Sequence, residues 1–85
     1  MKEFTYTITD PVGIHARPAQ LLVAKAKSYA SAVTIAKGDK SVSAAKLIGL
    51  MSLGIKQGDE VTVRVEGADE DKAFEELKTF MKDTL

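Results

Sequence analysis

Residues 60–67, EVTVRVEG, place a valine at every second position between polar side chains. The valines at 61, 63 and 65 alternate with threonine, arginine and glutamate. This period of two is typical of a strand that buries one face and exposes the other. Gly58 precedes the strand and Gly67 ends it. The stretch therefore predicts a sheet with one face in a hydrophobic core.

Helical and strand patterns flank this strand. A helix is predicted over about 69–82, with Asp69, Glu70 and Asp71 in its first turn and lysines near its end, both of which favour the helix dipole. Its apolar stripe consists of Ala73, Phe74, Leu77, Phe80 and Met81. Upstream the patterns predict a strand around 4–8, a helix from Ala16 to about Tyr29, strands at 32–37 and 40–43, and a short helix at about 46–53. This βαββαβα order predicts an α/β (α+β) fold, in which three helices cover one face of a four-stranded antiparallel sheet.

Length and composition limit the class of protein. Eighty-five residues predict a single domain over 1–85, too small for a large enclosed pocket. With no cysteine, disulfides and thiolate chemistry are excluded. No apolar run is long enough for a signal peptide or a membrane span, so we expect a cytoplasmic protein that does not insert into membranes.

The charges balance overall but not along the chain. Twelve basic residues match twelve acidic ones, which argues against nucleic acid as a partner. Residues 1–58 hold eight basic and three acidic side chains, whereas residues 59–85 hold four and nine. One face of the protein is therefore expected to be basic.

The segment GIHARPA, residues 13–19, puts the single histidine at a predicted helix start. A helix N-terminus offers unpaired N–H groups and favours anions, so we expect it to lower the pKa of His15 below the ordinary value of about 6.5. Arg17 adds a forked guanidinium suited to phosphate oxygens, and the helix start at Ala16 and Arg17 would cradle a phosphate. A neutral nucleophile beside an anion site suits transient phosphorylation of His15.

Other roles for His15 are open on these residues alone. It could be a polar loop residue with no chemical role. A metal site lacks a second histidine and any cysteine, and a Ser-His-Asp hydrolase lacks a nucleophile-elbow motif. Neither a metal nor a cofactor is therefore predicted.

Five large apolar residues crowd positions 47–53. Leu50 and Leu53 are expected to face the core, whereas Leu47, Ile48 and Met51 form a second stripe that is predicted to be exposed. The alternative is that all five lie in the core.

GIHARPA together with KLIGLMSLGIKQGDEV, residues 46–61, resembles the histidine-containing phosphocarrier (HPr) family of the bacterial phosphoenolpyruvate-dependent sugar phosphotransferase system. The resemblance covers essentially the whole chain and implies an HPr-like open-faced β-sandwich. It implies that His15 accepts a phosphoryl group from phosphorylated enzyme I and donates it to IIA components of sugar permeases, which drives carbohydrate uptake. Arg17 would neutralise the charge of the phosphoryl group in transfer. The chain would then be a carrier and not an enzyme.

The resemblance also implies where partners dock. The family binds enzyme I and the IIA proteins at the positions of Leu47, Ile48 and Met51, and Lys27 is the best placed of the lysines to form a basic rim. A relay that exposes one face to successive partners is expected to be a monomer.

One position departs from the family. In its Gram-positive branch a regulatory serine, phosphorylated by a dedicated kinase, stands where this chain has Lys46. No regulatory serine is therefore predicted. Two other functions stay open: a regulatory domain that docks partners without transferring phosphate, and a carrier that serves a phosphorelay unrelated to sugars.

Overall fold

The computed structural model describes residues 2–11 and 16–85 of the chain. Its elements follow the predicted βαββαβα order. The strands are β1 (Lys2–Thr7), β2 (Ala32–Lys37), β3 (Lys40–Ser43) and β4 (Glu60–Glu66). The helices are α1 (Ala16–Lys27), α2 (Leu47–Ser52) and α3 (Glu70–Thr84).

The four strands form one antiparallel sheet in the order β1-β4-β2-β3. Strand β4 thus lies between β1 and β2, although it is the last strand in the sequence. In the register of the sheet, Val63 lies beside Phe4 of β1 and beside Ile35 of β2. Strands β2 and β3 form a hairpin whose turn contains Gly38, with φ of 62°, a left-handed conformation that favours glycine.

The core lies between one face of the sheet and the helices. The three valines of β4 are fully buried, and the helices contribute these buried residues: Ala19, Leu22 and Ala26 from α1, Leu50 from α2, and Ala73, Leu77 and Met81 from α3. Full burial of a side chain such as Leu22 contributes about 1.5–3 kcal/mol. On the other face, Arg64 is exposed and its Nε donates to Glu3 Oε2 at 2.8 Å. The fold is the open α+β sandwich that the sequence predicts.

Two helix ends differ from the prediction by two residues, and β1 begins two residues before its predicted start. Helix α1 ends at Lys27, two residues before Tyr29, because the chain turns: the Ser28 hydroxyl and amide both bond to the carbonyl of Lys25. Helix α3 extends past Lys82 to Thr84. Both boundaries lie where the apolar period alone gives no stop signal.

The start of α3 is joined to the start of β2. Asp69 is the N-cap residue of α3, but its carboxylate makes no capping bond. Instead it accepts hydrogen bonds from the amides of Ala30 and Ser31, at 3.0 and 2.8 Å, and from the Ser31 hydroxyl. These bonds lower the pKa of Asp69, with the bond from the Ser31 side chain as the largest cause. A carboxylate predicted to favour the helix dipole therefore also ties two distant segments together.

Candidate functional site

Helix α1 presents Arg17 at its N-terminus. The helix begins at Ala16, and the Arg17 side chain is exposed in the first turn, whereas Pro18 and Ala19 are buried. No acidic residue lies in this turn, so the positive end of the helix dipole and the guanidinium act in the same direction. This arrangement favours an anion beside the helix start.

The predicted phosphoryl acceptor lies just before this helix. His15, with Val12 and Gly13, falls outside the described residues. Its predicted role and its predicted pKa therefore stay predictions. What the structure gives is the position of the two flanking segments, Pro11 on one side and the α1 start on the other.

The segment that leads towards His15 is held from two sides. The main-chain oxygen of Leu85 accepts bonds from the amides of Thr9 and Asp10, at 2.6 and 2.8 Å, and from the Thr9 hydroxyl at 2.9 Å. On the other side, Ile8 and the turn before β4 exchange bonds: the Ile8 amide donates to Asp59 and the Ile8 carbonyl accepts from Gly58. Leu85 and Ile8 are both buried. The chain thus leaves β1 along a path fixed by the end of α3 and the start of β4.

Helix α2 divides its apolar residues as its period predicts, with one exception. Leu50 and Leu53 are buried, which confirms the prediction for both. Ile48 is 85% exposed and Met51 43%. Leu47, predicted to belong to the exposed stripe, is half-buried and packs against the core. It lies in the first turn of the six-residue helix α2, which packs against the edge strand β3.

A further exposed apolar residue lies on the neighbouring helix. Leu21 of α1 is 48% exposed, and α1 packs against α2. The sequence carried a signal for it, because Leu21 lies outside the Leu22-Ala26-Tyr29 stripe, but the prediction of exposed residues considered only α2. We call the set Arg17, Ile48 and Met51 the α1–α2 surface. Leu21 is not counted in it, because it lies one helical turn before Lys25, whose side chain faces α3.

The lysines near this surface differ in their surroundings. Lys27 is exposed in the last turn of α1, as a basic rim requires. Lys25 is instead drawn towards α3, where its Nζ lies 3.6 Å from Glu76. Lys46 is the exposed N-cap residue of α2 and makes no side-chain capping bond. A cation at a helix N-terminus is unfavourable for the dipole, the opposite of what a phosphoserine would supply there.

The structure describes residues 2–11 and 16–85, and neither a metal-binding cluster nor a membrane-spanning helix occurs in these residues. Within those ranges no group of three or more His, Cys, Asp or Glu side chains is arranged to hold a metal ion. None of the helices described is long and apolar enough to cross a bilayer.

Comparison with known proteins gives one family. Residues 2–83 match the family PTS-HPr, described as the PTS HPr component phosphorylation site. The phosphocarrier protein HPr of Lysinibacillus sphaericus is 48% identical over 81 residues, which cover 95% of this chain and 92% of that protein.

Solved structures agree with this result. The histidine-containing phosphocarrier protein of Mycoplasma is 37% identical and superposes with a TM-score of 0.93, covering 98% of this chain and 94% of that one. An HPr from Thermoanaerobacter tengcongensis is 39% identical with the same TM-score of 0.93, and the match covers 99% and 94% of the two chains. With an exposed Arg17 at the start of α1 and a match over nearly its full length, the chain belongs to the HPr family of phosphocarrier proteins, which carry phosphoryl groups in the phosphotransferase system and are not catalysts.

Proposed function

We propose that this phosphocarrier accepts a phosphoryl group on His15 from phosphorylated enzyme I and donates it to IIA components of sugar permeases. The observation that carries the proposal is the match of residues 2–83 to the family's phosphorylation-site description, since this range includes GIHARPA. The phosphoryl donor is ultimately phosphoenolpyruvate. The carrier would act in the cytoplasm, and the process that the relay serves would be carbohydrate uptake.

Arg17 supports this role through its position. Its guanidinium is exposed beside the N-terminal end of α1, two residues after His15. In each transfer the phosphoryl group passes through a transition state whose oxygens share negative charge. A fixed guanidinium and the helix amides of the first turn, from Ala16 and Arg17, would stabilise that charge when it lies next to His15.

The α1–α2 surface supports docking of the two partners. Ile48 and Met51 expose apolar area that a core would otherwise bury, and such patches mark interaction sites. Methionine is flexible and polarizable, which suits a surface that must fit enzyme I and several IIA proteins in turn. Lys27 would add an attractive charge for acidic partners. Leu47 takes part through packing under the surface, since it is half-buried.

The experiment is intact-mass measurement after incubation with phosphoenolpyruvate and enzyme I. A single acid-labile phosphoryl adduct is expected on the wild type and none on His15→Ala. Transfer of that adduct to an IIA protein, with return of the original mass, would establish the second half of the relay. No adduct on the folded wild type would leave a docking protein without phosphoryl transfer.

We further propose that the carrier is a single domain over 1–85 and acts as a monomer. A relay must free the same face for two partners in succession, which a buried interface on that face would prevent. An HPr dimer from Thermoanaerobacter tengcongensis is among the similar solved structures, so the state needs a direct test. Sedimentation equilibrium at several concentrations should give the mass of one chain.

A further inference from the structure

A groove of about 480 Å³ runs along α3 beside the end of α1. Lys25 of α1 lines it together with these residues of α3: Glu75, Glu76, Thr79, Phe80 and Asp83. Phe80 is half-buried and packs against the core, so the groove has an aromatic floor. We call it the α1–α3 groove.

A bridge joins Glu76 of the groove to Lys25 of α1 and to Tyr29, which follows α1. The Tyr29 hydroxyl donates to Glu76 Oε1 at 2.7 Å, and Lys25 Nζ lies 3.6 Å from the same oxygen. The bond from Tyr29 is the main cause of a lowered pKa for Glu76, so this carboxylate stays charged and already has partners. The bridge therefore connects Glu76 of α3 to Lys25 and Tyr29 and leaves its carboxylate paired.

Two further carboxylates line the groove, and one of them, Glu75, also acts electrostatically on Lys2 of β1. The Glu75 and Asp83 carboxylates make no direct hydrogen bond or ion pair in the part of the chain that the structure describes. They are eight residues apart on α3, which places them about 12 Å from each other along the helix axis. Thr79 and Phe80 lie between them. The pattern is acidic, then apolar, then acidic over two helical turns.

We propose that the α1–α3 groove docks a helical segment of a partner protein that carries two basic side chains about two turns apart, with an apolar side chain midway. The basic groups would pair with Glu75 and Asp83, because a helix repeats the same 12 Å spacing over eight residues. The apolar side chain would cover the exposed part of Phe80. Charge complementarity selects a basic partner, since a segment with acidic groups at these positions would be repelled.

The opposite flank of α3 gives the docking a direction. Lys78 and Lys82 line a smaller notch of about 120 Å³ against Phe4 and Tyr6 of β1. Two ammonium groups on that side repel a basic segment. These lysines favour the α1 side of α3 for a basic segment, although Glu75 also acts on Lys2 of β1.

The test is a two-dimensional NMR titration of the unphosphorylated protein, so that its outcome does not depend on the proposed relay. The probe is a capped alanine-based helical peptide with two arginines eight positions apart and a leucine midway. We expect amide shifts at residues 75–84 and at Lys25, weakened by added salt. A peptide with glutamines in place of the arginines is the control probe.

Matched variants identify the charges. Glu75→Gln with Asp83→Asn should weaken binding roughly threefold to tenfold, the range expected for two exposed ion pairs. Glu60→Gln with Glu66→Gln removes the same charge from exposed positions on β4 and should leave the affinity unchanged. The proposal is overturned if no shifts appear, if they lie on another face, or if the groove variant or the glutamine peptide binds as tightly as the originals.

Discussion

Gly67 and Ser31 approach so closely that a β-carbon built on Gly67 would lie 2.6 Å from the Cα of Ser31. The φ of Gly67, 153°, is also one that other residues rarely adopt. We therefore expect Gly67→Ala to lower the free energy of unfolding by about 1–3 kcal/mol or more, measured by urea denaturation. Gly58→Ala separates the two causes, because Gly58 has a φ of 90° with no atom within 4 Å of an added β-carbon. An equal loss in both variants would contradict the steric argument.

The Asp69 carboxylate should make the free energy of unfolding fall as the pH is lowered into the acidic range. Its pKa is lowered in the folded protein, so the bonds from Ser31 and Ala30 stabilise the fold fully above the unfolded value of about 3.9. That contribution is lost as the pH falls through the lowered folded value. Asp69→Asn should therefore be less stable than the wild type at neutral pH, with a difference that narrows in acid. The measurement is the urea midpoint between neutral pH and about pH 2.

Asp83→Asn is the matched control for that series. It makes the same substitution on α3, at an exposed carboxylate with no direct partner in the described chain. It should follow the wild-type pH dependence closely. The stability difference between Asp83→Asn and the wild type could instead narrow in acid as much as that of Asp69→Asn. That result would show that net charge, and not the hydrogen bonds from Ser31, sets the pH dependence of the free energy of unfolding.

The Tyr29 hydroxyl should resist ionisation. Burial is the largest cause of its raised pKa, and the bond to Glu76 adds to it. The folded pKa of Tyr29 exceeds the unfolded value of about 10. The stability that the neutral Tyr29 phenol contributes is therefore complete below about pH 10 and is lost as the pH rises through the folded pKa. Tyrosinate absorbance should show one phenol ionising late, and Tyr29→Phe should remove that phase. A late phase that survives in the variant would assign it to another group.

Ile48 should matter to partners and not to stability. At 85% exposure, Ile48→Asp should change the free energy of unfolding by less than about 0.5 kcal/mol. It should raise the KM for phosphorylation by enzyme I, because a charge replaces apolar docking area. Leu50→Ala, at a fully buried position two residues on, should instead cost about 2–5 kcal/mol of stability. Unchanged kinetics in a folded Ile48→Asp variant would remove α2 from the docking surface.

The parts of the fold that sequence predicts best are those with one clear period. Val61, Val63 and Val65 alternate without interruption, so β4 and its buried face could be predicted from the sequence. The end of α1 could not, because Tyr29 continues the helical spacing of Leu22 and Ala26 while its hydroxyl bonds to Glu76 on another helix.

Contacts between distant residues explain the remaining differences. Asp69 was predicted to favour the helix dipole, and nothing near it in the sequence signals Ser31, 38 residues away. At the candidate site, the position of Arg17 in the first turn of α1 and the burial of Leu50 could be predicted from local spacing. The half-burial of Leu47 depends instead on how α2 packs against β3.

The position of β4 between β1 and β2 has a consequence for synthesis. The ribosome delivers β1, α1 and the β2–β3 hairpin before the strand that must join them. Until residues 60–66 emerge, β1 has no neighbouring strand to pair with. The hydrogen bonds from the Thr9 and Asp10 amides form later still, because their acceptor is the main-chain oxygen of Leu85. The pairing of β1 and the bonds of Thr9 and Asp10 therefore form only after residues 60–66 and Leu85 have left the exit tunnel. A nascent chain stalled before β4 should stay protease-sensitive throughout, whereas one extended past Leu85 by a linker should acquire protection in a single step.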